Sequence, residues 1–254
     1  MIYAHQRQAI DCITQKFFAD AGAEALLISG SIAHGFNSEN SDVDLNIVVT
    51  DNRTGTYYEP CENFYPGGYF DGKFITTDYL ALVAERGNEP TRFALHDAIV
   101  AFDRTGRATE LLKTVGAYGG WTQANAIRLL SQFDAWNWYC GEALKRNDRY
   151  LLYTSVVKLI LFGGRLLLAH NKTFFPYHKW FMRTLEGIKE KPSGLMPAIE
   201  NLLAEKSADN ILNFYSLVKN FKDWSGGEPY IWSENFLIDT ETVWMRQDEF
   251  IENI

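Results

Sequence analysis

Apolar residues follow two different spacings along the chain, and the change occurs near residue 118. Before it, short apolar runs alternate with segments of helical spacing, which predicts a mixture of strands and helices. After it, apolar residues recur every three or four positions in segments separated by Asn, Gly, Pro or Ser, which predicts consecutive helices. The expected fold is therefore α+β, with a mixed sheet flanked by helices in residues 1–118 and an all-helical bundle in residues 119–254.

The first half contains the predicted strands. Strands are expected at residues 25–28, 43–49, 70–77 and 98–102, and helices at residues 4–20 and from Asp78 onward. Residues 51–68 are rich in Gly, Pro, Asn and Tyr, which predicts a long loop with a possible functional role. In the second half, helices are predicted at residues 125–146, 150–170, 176–189, 195–206, 209–221 and 239–251.

Composition narrows the class of protein. The 254 residues include 24 Lys and Arg against 32 Asp and Glu, a net charge of −8. This argues against long nucleic acids as partners, because binding to polyanions needs surplus basic residues. Three cysteines without paired spacing favour a reducing compartment. The N-terminus lacks a signal-peptide pattern, and the apolar run at residues 156–169 looks too short and too charged to span a bilayer. A soluble, cytoplasmic protein without a membrane partner is expected.

Two acidic residues begin the strand at residues 43–49. Strand alternation places Val43, Leu45, Ile47 and Val49 on one face, and Asp44 and Asn46 on the other. Asp42 has the same parity but sits at the edge of the strand. Carboxylates this close repel one another, and a divalent cation would compensate them. Magnesium prefers one or two carboxylates together with phosphate oxygens and water.

A phosphate site and a third carboxylate would complete a site for two magnesium ions. Gly30 and Ser31 follow an apolar strand and begin a short predicted helix. Backbone N–H groups at a helix start favour a phosphate, and Gly30 lets such a ligand approach the backbone. The Ser31 hydroxyl can donate a hydrogen bond to a phosphate oxygen. Asp71 is the candidate third carboxylate. In the predicted strand at residues 70–77 it lies on the polar face with Lys73. Asp78 is an alternative that also suits a helix N-cap. Asp71 precedes a glycine and would equally suit a hairpin turn.

These residues resemble a known family. The pattern Gly30-Ser31, then Ala33 and Gly35, then Ser41-Asp42-x-Asp44-Leu45, is similar to the signature of the DNA polymerase beta-like nucleotidyltransferase superfamily. It is most similar to the bacterial branch with aminoglycoside and minimal nucleotidyltransferases. The resemblance implies that Asp42 and Asp44 bind two Mg²⁺ ions and that Gly30 and Ser31 hold a nucleoside triphosphate, with Ser41 counted among the nucleotide-binding residues. It also implies a third carboxylate on a later strand, which we assign to Asp71.

The resemblance extends to the helical half. In such enzymes a helical domain closes the cleft and often contributes a basic residue to the phosphates. Lys158 fits that description, and Lys179 is a second candidate; a solvent-exposed or snorkelling lysine is the alternative for each. Glu142 is a weaker candidate for the general base than Asp71.

The implied activity is transfer of a nucleotidyl group, AMP from ATP, to a hydroxyl of a small acceptor, with release of pyrophosphate. The resemblance suggests an aminoglycoside-like acceptor, and the acidic first half favours a cationic one. Two alternatives stay open: an antitoxin-like enzyme that adenylylates a partner protein, and a non-catalytic nucleotide-binding regulatory module.

Aromatic and histidine residues add weaker signals. Four tyrosines are candidates for stacking on a base or a substrate ring: Tyr57, Tyr58, Tyr65 and Tyr69. His34 is expected at a helix end or in a loop, without a chemical role. The other four histidines show no metal-ligand spacing and are expected to be structural or exposed: His5, His96, His170 and His178.

Overall fold

The structure, a computed structural model, describes residues 1–119 and 122–245. The chain divides into two compact units, Met1–Ala117 and Tyr118–Ile254. Part of the predicted helix at residues 239–251 lies outside the described residues.

The first unit is a mixed sheet flanked by helices. Its described strands are β1 (Ala23–Ser29), β2 (Val43–Val49), β3 (Thr56–Pro60), β4 (Tyr69–Ile75) and β5 (Ile99–Asp103). Its described helices are α1 (Ala4–Ala19), α2 (Gly30–Ala33), α3 (Thr77–Arg86), α4 (Glu89–His96) and α5 (Arg107–Val115). The strand order is β3-β4-β2-β1-β5, and β2 pairs with β4 in parallel while the other neighbours are antiparallel. The predicted α+β class is confirmed.

Each face of the sheet is covered by different helices. The residues Val43, Leu45, Ile47 and Val49 are at most 2% exposed and join the α1 residues Ile13 and Phe17 in one core. Val48 lies on the other face, in a second core with residues from α3, α4 and α5. The alternation predicted for β2 is therefore correct, and Asp44 and Asn46 share the face of Val48.

Two local predictions in this unit are wrong, and one helix was not predicted. The predicted loop at residues 51–68 contains β3, whose alternating burial is that of an edge strand with one covered face. The helix α4 was not expected. Asp78 is not a helix N-cap, because the side chain of Thr76 accepts the hydrogen bond from the Tyr79 backbone N–H at 3.1 Å and Asp78 lies in the first turn.

The second unit is helical over its described residues. Its helices are α6 (Gln123–Arg146), α7 (Arg149–His170), α8 (Tyr177–Gly187), α9 (Leu195–Ala204), α10 (Ala208–Lys219) and α11 (Trp232–Thr240), followed by a 3₁₀ turn at Val243–Met245. The first five follow the predicted segments closely. The last differs: α11 begins at Trp232, before the predicted helix at residues 239–251, and ends where that predicted helix starts.

Helix α7 forms the centre of the second core. It is 22 residues long and apolar enough to cross a membrane by length and composition, so the expectation that this segment is too short was wrong. Of its most apolar 18-residue window, 67% is buried inside the protein. A core helix of a soluble protein has the same composition, and side chains of α7 account for much of this core.

Two adjacent glycines let neighbouring helices approach α7. A Cβ atom on Gly163 would lie 2.8 Å from Phe133 Cε2, and one on Gly164 would lie 2.4 Å from Phe181 Cζ. Phe133 and Phe181 are both buried. The missing side chains therefore leave the space into which these rings pack.

We predict that Gly164→Ala lowers the free energy of unfolding by about 1–3 kcal/mol, because the overpacked methyl group displaces Phe181. Gly141→Ala is the matched control, since that helical glycine has no atom within 4 Å of an added Cβ. The control should be neutral or stabilising by up to about 1 kcal/mol, through helix propensity. Urea unfolding measures both, and equal effects would contradict this account of the core.

Candidate functional site

A row of polar residues crosses the sheet in register. Ser29 of β1 pairs with Asp44 of β2, Asp44 lies beside Asp71 of β4, and Asp71 pairs with Tyr58 of β3. Neighbouring strands lie about 4.8 Å apart, and paired residues project to the same face. The carboxylates of Asp44 and Asp71 therefore emerge side by side.

Asp42 lies at the same place, although it precedes β2. The hydroxyl of Tyr69 donates a hydrogen bond to the Asp42 carboxylate, which raises the pKa of Tyr69 above its usual value. Tyr69 is two residues before Asp71 and therefore shares its face of β4. The structure thus brings together the three carboxylates selected from the sequence. Asp71 lies inside a strand, so the hairpin-turn interpretation of Asp71 was wrong.

Gly30 lies directly against the carboxylate of Asp44. Its φ angle is +62°, a conformation that favours glycine, and a Cβ at this position would lie 1.9 Å from Asp44 Oδ2. Gly30 begins α2, which is a single turn of four residues. The next residue, Ser31, is buried at 8% exposure. The bend at Gly30 and Ser31 therefore adjoins the acidic residues, as the sequence pattern suggested.

Asn46 continues the polar face beneath the carboxylates. It is 4% exposed, and its Nδ2 donates to Ser29 Oγ at 2.9 Å. Its Oδ1 is buried and has no hydrogen-bond partner among the described residues. A buried acceptor without a hydrogen-bond partner lowers the stability of the folded protein. Such an atom often marks a position where a ligand, water or ion completes a polar site. Lys73 pairs with Asn46 in register and supplies a positive charge on the same face.

Ser41 shapes the loop that leads into Asp42. Its Oγ accepts a hydrogen bond from the Ser38 backbone N–H at 2.9 Å. Its carbonyl oxygen accepts from the Tyr65 hydroxyl at 3.0 Å and from Gln6 Nε2 at 3.2 Å. These bonds hold the loop, and a direct contact of Ser41 with a nucleotide remains a prediction.

The four candidate tyrosines lie in different surroundings. Tyr58 and Tyr69 share the face of Asp71, with ring centroids 4.9 Å apart. Tyr57 lies on the opposite face, where its hydroxyl bonds to Lys16 and Glu59. Tyr65 is buried at 6% exposure. The tyrosines beside the carboxylates could not be distinguished from the sequence, because β3 was not predicted as a strand.

The remaining candidates belong to the second unit. Lys158 is half-buried on α7, and Lys179 is exposed on α8 with its Nζ 5.3 Å from the centre of the Trp180 ring. Glu142 on α6 forms ion pairs with Lys145 and Arg146, and the hydrogen bond from Lys145 is the main cause of its lowered pKa. The roles suggested for these side chains in phosphate binding and proton transfer remain predictions.

The chain is similar in fold to a solved structure of low sequence identity. No protein-family model matches it, and no curated protein sequence matches it. The solved structure is that of a nucleotidyltransferase-like protein from Exiguobacterium sibiricum 255-15, with 13% sequence identity and a TM-score of 0.47. The match covers 95% of this chain and 80% of that one.

We predict that Asp42→Asn lowers the pKa of Tyr69 toward its usual value, so that this tyrosine ionises at lower pH. The carboxylate accepts the phenol hydrogen bond and repels the phenolate, and both effects favour the neutral ring. NMR titration with ring-labelled tyrosine measures the shift, with Tyr150, 82% exposed in the second unit, as the control signal. An unchanged titration of Tyr69 would show that the contact with Asp42 does not form.

Proposed function

We propose that the protein is a metal-dependent nucleotidyltransferase. It transfers a nucleoside monophosphate, AMP from ATP, to a hydroxyl of a small acceptor and releases pyrophosphate. The observation that carries this proposal is the convergence of Asp42, Asp44 and Asp71 on one face of the sheet, with Asp44 packed against the positive-φ residue Gly30.

The donor atoms at this site fit divalent magnesium. Magnesium prefers oxygen ligands, and Asp42, Asp44 and Asp71 would hold two ions. Carboxylates on adjacent strands repel one another, and bound cations would remove that repulsion. The unpartnered Asn46 Oδ1 adds a further oxygen on the same face. When bound, the ions would stabilise charge on the attacking and leaving oxygens.

Three residues of the protein have separate roles in the proposed reaction. Gly30 lets the triphosphate approach the backbone beside Asp44, and the Ser31 hydroxyl donates to a phosphate oxygen. Asp71 accepts the proton of the acceptor hydroxyl. The acceptor oxygen forms a bond to the α-phosphorus, while the bond from that phosphorus to the bridging oxygen breaks and pyrophosphate leaves. Positioning of the two reactants supplies much of the acceleration.

The net negative charge of residues 1–118 favours a small cationic acceptor. Residues 1–118 carry 16 acidic and 9 basic side chains. An acidic surface concentrates cations and repels polyanions such as nucleic acids. Tyr58, 65% exposed, and Tyr69 flank the carboxylates and offer ring faces to the acceptor or to the base.

We predict that Asp44→Asn lowers metal-dependent turnover by about 100-fold or more, because a metal ligand is lost. The fold should persist, since the change relieves carboxylate repulsion. The assay is pyrophosphate release from Mg²⁺ and ATP against a panel of hydroxyl acceptors. Asp11→Asn is the matched control, an exposed aspartate on α1, which covers the opposite face of the sheet.

The outcomes of this assay separate the alternatives. Unchanged activity in Asp44→Asn would contradict the assigned role. Turnover only with a partner protein would favour the antitoxin-like alternative. ATP binding that ignores Mg²⁺, with no pyrophosphate from any acceptor, would favour a non-catalytic module.

We predict that Asp71→Asn lowers kcat by about 100-fold or more while the chain still binds ATP, because Asp71 acts on the acceptor hydroxyl as well as on the metal. Calorimetry with Mg²⁺ and ATP measures nucleotide binding, and pyrophosphate release at saturating ATP and acceptor measures kcat. A variant that keeps the wild-type kcat would exclude Asp71 as the base.

A further inference from the structure

Two histidines and an aspartate meet at the ends of two helices in the first unit. His34 follows α2, His96 ends α4, and Asp97 follows it. His34 Nδ1 lies 3.1 Å from Asp97 Oδ2, and His96 Nδ1 lies 2.8 Å from Asp97 Oδ1. One potential ligand atom from each of the three side chains lies within 4.8 Å of the other two. The fold thus assembles a group that sequence spacing did not reveal.

These distances suit a single metal ion. Tetrahedral sites with metal–ligand bonds of about 2.0–2.2 Å place neighbouring ligand atoms about 3.3 Å apart. The contacts at 2.8 and 3.1 Å join the two imidazoles to different oxygens of Asp97, as in hydrogen bonds. A bound ion would replace these contacts and bring the three ligand atoms, which already lie within 4.8 Å of one another, to the tetrahedral spacing. Imidazole nitrogens select zinc and related transition metals, whereas magnesium prefers oxygen ligands. The donor set therefore differs in kind from the carboxylates of the proposed nucleotide site.

The surroundings hold the imidazoles in place. The His34 side chain is 3% exposed, and its ring donates a hydrogen bond to the backbone of Phe93. Such a bond commonly orients a metal-binding histidine. The buried Phe93 ring lies 4.3 Å from the His34 ring and 5.2 Å from the His96 ring, measured between centroids. The packed rings therefore fix where the two imidazoles lie, and an ion would take the place of their contacts with Asp97.

The group is also open on one side. The Asp97 side chain is 52% exposed, which leaves a path from solvent. Three protein ligands with an open fourth position are typical of zinc sites that retain a water molecule.

We propose that His34, His96 and Asp97 bind one divalent transition-metal ion of the zinc class. The ion would link the end of α2 to the end of α4. Because α2 begins at Gly30, the site would also restrain the bend beside Asp44. This proposal uses different residues and a different metal class from the proposed nucleotidyl transfer, and it can succeed or fail independently.

The test is calorimetric titration of the full chain with Zn²⁺ in buffer containing excess Mg²⁺, which occupies oxygen-only sites. One Zn²⁺ should bind per chain, and Co²⁺ should give the visible absorption of a tetrahedral complex. Zn²⁺ should also raise the Tm, as expected for a ligand that binds the folded state. His34→Gln and Asp97→Asn should each weaken Zn²⁺ binding at least about 10-fold.

Two controls make the result specific. His170→Gln removes a histidine that also contacts a carboxylate, with its Nε2 2.7 Å from Glu190, and should bind Zn²⁺ like the wild type. Asp44→Asn should also bind Zn²⁺ normally. Asp97 is exposed, so Asp97→Asn gives a folded test even if His34→Gln unfolds. Absence of stoichiometric Zn²⁺ binding to the wild type, or equal affinity in Asp97→Asn, would overturn the proposal and leave a hydrogen-bonded cluster only.

Discussion

Parallel pairing of β2 with β4 forces two carboxylates to lie side by side. In this register Asp44 is beside Asp71, and their side chains leave the sheet on one face. The opposite face of β2 is wholly apolar and packs into the core with α1. The repulsion between the two carboxylates is a cost that a bound cation would remove.

Neighbouring residues adapt to this arrangement. The absence of a side chain at Gly30 makes room for the Asp44 carboxylate, and its positive φ turns the chain into α2. The hydroxyl of Tyr69 on β4 donates a hydrogen bond to the Asp42 carboxylate. The loop before Asp42 is fixed by hydrogen bonds to Ser41 from Gln6 and Tyr65. The acids are therefore positioned by contacts from four parts of the first unit.

Much of the fold follows from local patterns. The apolar alternation of β2 and the helical spacing of α6, α7, α9 and α10 are strong signals, and the structure contains those elements close to their predicted ends. The failures occur where local signals are weak or conflict. Strand β3 lies at the sheet edge and is rich in tyrosine within a Gly- and Pro-rich region. The Asp71-Gly72 pair suggests a turn, yet pairing on both sides keeps it in a strand.

The site was only partly accessible from the sequence. Asp42, Asp44 and Gly30 lie in one short segment, so spacing and alternation were enough to group them. The position of Asp71 depends on strand register, and the meeting of His34 with His96 depends on how α2 and α4 pack. Such long-range pairings are set by the tertiary fold, which no local pattern encodes.

The most direct test of the account is a crystal structure of the protein with Mg²⁺ and a nonhydrolysable ATP analogue. The account predicts metal ions between the phosphates and the carboxylates of Asp42, Asp44 and Asp71, with the phosphate chain against Gly30 and Ser31. A nucleotide bound elsewhere, or bound here with no metal at these carboxylates, would contradict it.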